Sequence, residues 1–185
     1  MRWTKVVAIG VAAAGGLALA TARAGQGGAD ARAKRGEYLV RIGGCNDCHT
    51  PLKMGSRGPE PDLARMLSGH PEQLVMTAAP PVTGPWAAVA SATMTAWAGP
   101  WGTSFSANLT PDPETGLGRW TEANFVDAMR SGRHMGRGRP ILPPMPVASL
   151  AAMTDDDLGA VFGYLRTVPS VRNRVPDPLP PIAAR

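Results

Sequence analysis

Phenylalanine is scarce in this chain, with only Phe105, Phe125 and Phe162, and aromatic residues make up 5% of it. So few large rings leave a domain short of the side chains that usually dominate a core. Cysteine is scarcer still: Cys45 and Cys48 are the only two, which excludes a disulfide-dense scaffold. After the first two dozen residues there is no apolar run approaching the roughly 20 residues that a bilayer span requires, so the mature chain is expected to lack a transmembrane segment. Helix-turn-helix, zinc-finger and aromatic RNA-binding signatures are missing too, and no nucleic-acid partner is expected. What is abundant is Gly (22) and Pro (19). Much of the chain must therefore be loop, which buries little apolar surface, and a large flat prosthetic group would fill the middle as metals or disulfides do in other small domains.

The first residues have the three regions of a secretory signal in order: Arg2 and Lys5, an apolar stretch from Val6 to Ala20, and Ala22-Arg23-Ala24 before Gly25. Residues 1–24 are expected to be a signal peptide, cleaved after Ala24 or Ala22, and the protein to be periplasmic. Arg2, Lys5 and Arg23 leave with this segment. The 19 basic side chains then become 16 against 14 acidic ones, and the formal charge falls from +5 to +2. A balance so near neutral is poor support for a polyanion partner.

Both cysteines stand in Cys45-Asn46-Asp47-Cys48-His49. A disulfide across two residues would constrain little of the unfolded chain. A redox C-x-x-C would be expected beside a βαβ pattern that is missing here, and a zinc site needs a second ligand pair that His70 and His134 do not supply. C-x-x-C-H has its own chemistry: the two thiols add to the haem vinyl groups and the histidine takes the iron. One covalent haem c is expected, with Cys45, Cys48 and His49 as its attachment and ligand residues.

Three helices are legible. Ala31 to Gly43 leads into the motif, with Tyr38, Leu39 and Ile42 spaced to share a face and Gly36 leaving room for another helix. Glu122 to Arg130 is capped by Thr121, ended by Gly132, and flanked by Trp120 and Phe125 at the spacing of a hydrophobic staple. Thr154 to Thr167 carries Leu158, Val161, Phe162 and Leu165 at i, i+3, i+4 and i+7, with Thr154 and Asp157 in capping-box positions and Pro169 as a stop. Between the motif and the middle helix, residues 50 to 118 read as turn and loop broken by prolines, with a short helix near Asp62 to Leu67. Residues 169–185 form a Pro-rich C-terminal tail, an extended arm or linker.

Gly36-Glu37-Tyr38-Leu39 running into the haem motif resembles class I cytochrome c. Several further segments resemble the haem-binding stretches in cytochrome subunits of membrane-associated alcohol and gluconate dehydrogenases. They are Gly99-Pro100-Trp101-Gly102, Asn108-Leu109-Thr110-Pro111-Asp112, Thr115-Gly116-Leu117-Gly118-Arg119-Trp120, Pro143-Pro144-Met145-Pro146 and Met153-Thr154-Asp155-Asp156-Asp157-Leu158. Those subunits commonly carry three C-x-x-C-H motifs and this chain carries one, so it reads as a single-haem relative. The resemblance implies an all-α class I cytochrome c fold: three main helices around one haem with a long irregular loop insertion, over a cytochrome domain at residues 25–168.

His49 takes one face of the iron, and a low-spin carrier needs a strong ligand opposite. Met145 is the leading choice. Prolines on both sides stiffen its loop, and it precedes the last helix, where class I cytochromes carry this ligand. Met153 competes, but it lies just before the Thr154 cap, in staple position with Leu158. A histidine ligand or an open iron face are the remaining options. His70 and His134 read as surface turn and loop residues. The resemblance also places at Gly58-Pro59 the carbonyl that fixes the bound imidazole. Trp97, Trp101, Asn108 and Arg119 are candidates to line the haem or bond its propionates, with packing and turn chemistry equally good explanations.

A six-coordinate His/Met iron leaves no place for substrate. The function expected is electron transfer in an exported respiratory or dehydrogenase-linked chain, from a periplasmic dehydrogenase to an oxidase or another cytochrome, by a carrier and not an enzyme. The alternatives are a haem peroxidase or ligand sensor, which needs an open iron face, and an accessory cytochrome subunit of a dehydrogenase complex. Arg130, Arg133, Arg137 and Arg139 form a basic loop before Met145, suited to docking an acidic partner, to neutralising haem propionates, or simply to solvation.

Overall fold

The protein is described by a computed structural model over residues 28–77, 82 and 84–181, so the signal segment 1–24 lies outside the described residues. Helix α1 covers 28–42 and leads into α2 (Cys45–His49). The later helices are α3 (Glu122–Ser131), α4 (Val147–Ala151) and α5 (Asp155–Leu165).

Gly36 lets α1 and α5 touch: a Cβ there would stand 1.9 Å from the Ala160 carbonyl oxygen and 2.8 Å from the Tyr164 Cβ. Leu158, Val161, Phe162 and Leu165 of α5 are all buried, as their spacing requires. On α1 the buried face differs from the expected one. Tyr38 and Ile42 are 53% and 63% exposed, whereas Val40 is fully buried. The reason is Gly36, which fixes the side that meets α5; Val40, one turn on, shares that side.

Ion pairs fasten α1 at its rim, Arg32 to Glu122 and Arg35 to Asp157. Helix α3 starts with a reciprocal capping box between Thr121 and Asn124 and ends at Gly132 in the left-handed region, φ 65°. Phe125 and Phe162 bring α3 and α5 together with ring centroids 5.5 Å apart. Thr154 caps α5 by accepting from the Asp157 N–H, but the Asp157 carboxylate receives Arg35 at 2.9 Å. Met145, Met153 and Leu150 pack against this core from its edge.

The expectation of an all-α fold with an irregular insertion is overturned: the described residues hold five helices and two antiparallel sheets. Strands β1 (Leu52–Gly55) and β2 (Gly58–Pro61) form one hairpin; β3 (Val89–Ala90), β4 (Ala96–Gly99) and β5 (Gly102–Phe105) form a sheet in that order. Proline misleads here for a physical reason. Lys53 lies opposite Glu60 and the Asp62 N–H bonds the Pro51 carbonyl, so Pro59 and Pro61 fall at the alternate positions whose N–H groups the ladder does not use. Glycines close both hairpins, Gly55 against Gly58 and Gly99 against Gly102. The short helix near residue 62 is present as a 3-10 turn, Leu63–Arg65.

The tail is extended but bound. Thr103 and Leu179 exchange both backbone hydrogen bonds, adding one residue to the free edge of β5. Asn173 is fully buried; its amide donates to the carbonyls of Ser68 and His70, and its side-chain oxygen accepts from Arg65 and from the Glu72 N–H.

Candidate haem site

Gly44, left-handed at φ 65°, turns the chain from α1 into α2. Cys45 and Cys48 are free and half-buried. Burial pushes both thiols up from their ordinary pKa, with the Asp47 carboxylate adding to it. His49 is buried, and its Nδ1 lies 2.8 Å from the Ala107 carbonyl oxygen. A carbonyl can only accept, so Nδ1 carries the proton and Nε2 keeps its lone pair. Burial lowers the His49 pKa and the bond to Ala107 only partly opposes it, so the ring is held neutral. Two thiols next to an imidazole with a fixed, unprotonated nitrogen are a donor set that fits haem c.

The partner of His49 is Ala107, not Gly58-Pro59. Residues 58 and 59 lie on the outer β1–β2 hairpin, while the carbonyl that meets the His49 imidazole comes just after β5. The insertion is sealed at its base: the Gly69 N–H bonds the His49 carbonyl at 2.8 Å and the Leu67 N–H bonds Thr50 Oγ1 at 3.0 Å. A backbone carbonyl has no residue signature, and the one sequence cue is its place just before Asn108-Leu109-Thr110-Pro111.

His70 is also corrected. It is fully buried, with Nδ1 on Thr95 Oγ1 at 3.0 Å and Nε2 on the Leu74 carbonyl at 2.9 Å. Both ring nitrogens are occupied, which removes it as an iron ligand. His134 is exposed and stands edge-on to Trp120. Among the methionines, Met54 is 78% exposed and Met129 is buried within α3. Met145 and Met153 are both half-buried against the core, with α4 between them.

The loop carrying Met145 is tied to the sheet, since Ser104 Oγ donates to the Pro143 carbonyl at 2.5 Å. Trp97 lies opposite Ser104 in the β4–β5 pair. The indole N–H groups of Trp97 and Trp101 are buried and have no acceptor among the described residues. Asn108 does turn chemistry: its side chain bonds Thr115, Val171 and Thr110. Arg119 is exposed.

A C-x-x-C-H helix whose histidine is buried, neutral and oriented by a backbone carbonyl has the donor set of a covalent haem site. No family model matches the chain. Curated relatives do. Over 187 residues, 99% of this chain, it is 29% identical to the cytochrome c subunit of a quinone alcohol dehydrogenase from Gluconobacter oxydans. It is 32% identical over 73% of its length to a gluconate 2-dehydrogenase cytochrome c subunit from Pantoea cypripedii. It is also 31% identical over 85 residues, 43% of its length, to the cytochrome subunit of fructose dehydrogenase from Gluconobacter japonicus. The chain spans 31%, 23% and 17% of those proteins' own lengths. The chain thus resembles the haem segments of dehydrogenase cytochrome subunits. No helix among the described residues is long and apolar enough to cross a membrane.

Proposed function

We propose that this protein is an exported, periplasmic, single-haem carrier that takes electrons from a dehydrogenase and passes them to an oxidase or another cytochrome. The observation that carries the proposal is the His49 tautomer, with Nδ1 engaged on Ala107 and Nε2 left as a ligand beside two free thiols. Cys45 and Cys48 would form the thioether bonds, and His49 and Met145 would take the two faces of the iron. Haem c supplies a one-electron couple whose potential rises with methionine ligation. The Ala107 carbonyl keeps the His49 ring in one orientation and makes it a better donor. Ser104 holds Pro143, two residues from Met145, so that the distal loop stays in place when the charge on the site changes. Trp97 and Trp101 offer N–H groups suited to carboxylate acceptors. Residues 1–24 would direct export, residues 25–168 would form the cytochrome domain and residues 169–185 its tail.

The resemblance to dehydrogenase cytochrome subunits supports a second version, in which the chain works as an accessory subunit held on its donor. A haem-peroxidase stain after denaturing electrophoresis tests the core of the proposal. It should follow the band of the mature protein and vanish in Cys45→Ala/Cys48→Ala. Iron quantified against protein should give one haem per chain. Ready binding of carbon monoxide by the unmodified protein would replace the carrier by a peroxidase or sensor with an open iron face.

A further inference from the structure

Six basic side chains among the described residues face a carboxylate, Lys53 with Asp62 among them. The others are Arg32, Arg35, Arg41, Arg130 and Arg172. Arg130 belongs to the basic cluster of the sequence, but it is withdrawn: it bonds the Ala151 carbonyl and the Asp155 carboxylate. Arg133, Arg137 and Arg139 are set apart by standing together within seven residues. All three are exposed, and none has a carboxylate within salt-bridge distance among the described residues. The segment Gly132-Arg133-His134-Met135-Gly136-Arg137-Gly138-Arg139-Pro140-Ile141 contains no acidic residue. Asp127 backs the loop at Gly136 without pairing to any of the three. His134 adds no charge near neutral pH, because partial desolvation of its ring against Trp120, and then Arg139, lower its pKa.

The loop is also firm, although its glycines suggest flexibility. It is closed by Ile141 N–H to the Gly132 carbonyl at 2.8 Å and His134 N–H to the Arg139 carbonyl at 2.9 Å. Gly138 N–H to the His134 carbonyl, 2.8 Å, tightens it inside, and the His134 ring seats on Trp120, centroids 4.9 Å apart. Three guanidiniums are therefore presented on a pre-formed support, which lowers the ordering cost of binding. Directly after the loop, Ile141 and Met145 pack on the core and Pro143 is held by Ser104.

We infer that loop 132–141 is the docking surface for the acidic face of a protein redox partner, an inference that rests on the carrier function proposed above. Guanidinium forks match carboxylates in pairs, and three uncompensated charges raise the encounter rate with an acidic surface. A partner seated there meets the cytochrome beside the segment that carries Met145.

The test uses the full haem-loaded protein and flavodoxin, a small acidic electron-transfer protein, as the probe. Arg133→Gln/Arg137→Gln/Arg139→Gln should slow reduction by flavodoxin about tenfold at low salt. It should flatten the dependence on ionic strength, weaken flavodoxin binding by calorimetry and leave the midpoint potential unchanged. Arg57→Gln, on the turn of the outer β1–β2 hairpin, should change none of these. Equal rates and affinities in the triple variant would overturn the inference. So would a moved midpoint potential with an intact salt dependence, which assigns the guanidiniums to the haem carboxylates. Loss of binding to anionic phospholipid vesicles, with flavodoxin unaffected, would overturn it in favour of a membrane surface. If the unmodified protein accepts no electron even from dithionite, the carrier function itself fails, and calorimetry with flavodoxin still decides whether the loop docks an acidic protein.

Discussion

Ser104 reaches the Pro143 carbonyl with its hydroxyl, and three residues further along the same segment the Ala107 carbonyl receives the imidazole of His49. One short stretch of chain, the end of β5 and the two residues after it, thus touches both the histidine and the loop that carries Met145. Removing the hydroxyl in Ser104→Ala should cost about 1 kcal/mol in unfolding experiments. It should also weaken the sulfur-to-iron charge-transfer band, because the methionine loop loses its tether. A variant that loses stability but keeps the band at full strength would show that the tether is structural only.

Met145→Leu should abolish that band and open the iron to cyanide and carbon monoxide, while Met153→Leu should keep both properties of the unmodified protein. The reverse pattern would move the ligand to Met153 and make the α5 cap, not the proline-flanked loop, the ligand-bearing element.

The α1–α5 crossing gives a paired prediction. Gly36→Ala puts a methyl 1.9 Å from the Ala160 carbonyl oxygen, with no room to yield. The helices must separate, at a cost of about 1–3 kcal/mol or more. Gly163→Ala, on α5 with open space around its added methyl, should instead stabilise by up to about 1 kcal/mol through helix propensity. Chemical denaturation of the two variants checks both signs.

The helices were the legible part of this fold, and for a local reason. Thr121, Thr154, Gly132 and the spacing of Leu158 to Leu165 act within one or two turns of chain. The sheets were not legible because strands of two to four residues carry too little alternation. The prolines of β2 also sit where a ladder tolerates them. Of the site, Cys45, Cys48 and His49 announce themselves by spacing. The Ala107 carbonyl does not, because any residue could supply it. His70 looked like a turn residue because what buries it comes from far along the chain, from Thr95 and from the carbonyl bond of Asn173. The α1 face was misassigned because the decisive residue was a glycine, which no hydrophobic pattern counts.

Asn173 should matter more than its place in a proline-rich tail suggests. Asn173→Ala deprives the Ser68 and His70 carbonyls and the Glu72 N–H of a partner. The expected loss is about 2–4 kcal/mol, and limited proteolysis should cut first near residue 173.

Burial, only partly offset by the bond to the Leu74 carbonyl, lowers the pKa of His70. The folded state therefore holds this ring neutral at a pH where the unfolded chain already binds a proton. The stability it contributes is present above about pH 6.5 and is lost as the pH falls below that value. His70→Gln should be less stable at pH 8, and its stability should decline less between pH 7 and 5. Parallel pH profiles for the two proteins would show that the ring titrates freely in the fold.

The seal at the base of the insertion separates two problems that the chain would otherwise have to solve together. Thr50 and Leu67 are bonded where the hairpin segment begins and ends, and the carbonyl that meets the His49 imidazole comes later, at Ala107. The hairpin segment 51–66, between Thr50 and Leu67, behaves as a cassette anchored at its ends. Lengthening such a segment costs little closure entropy, about 0.6 kcal/mol for each doubling. The outer hairpin can therefore be recut or replaced without moving the histidine, and surface identity can diverge between such cytochromes while the iron chemistry stays the same.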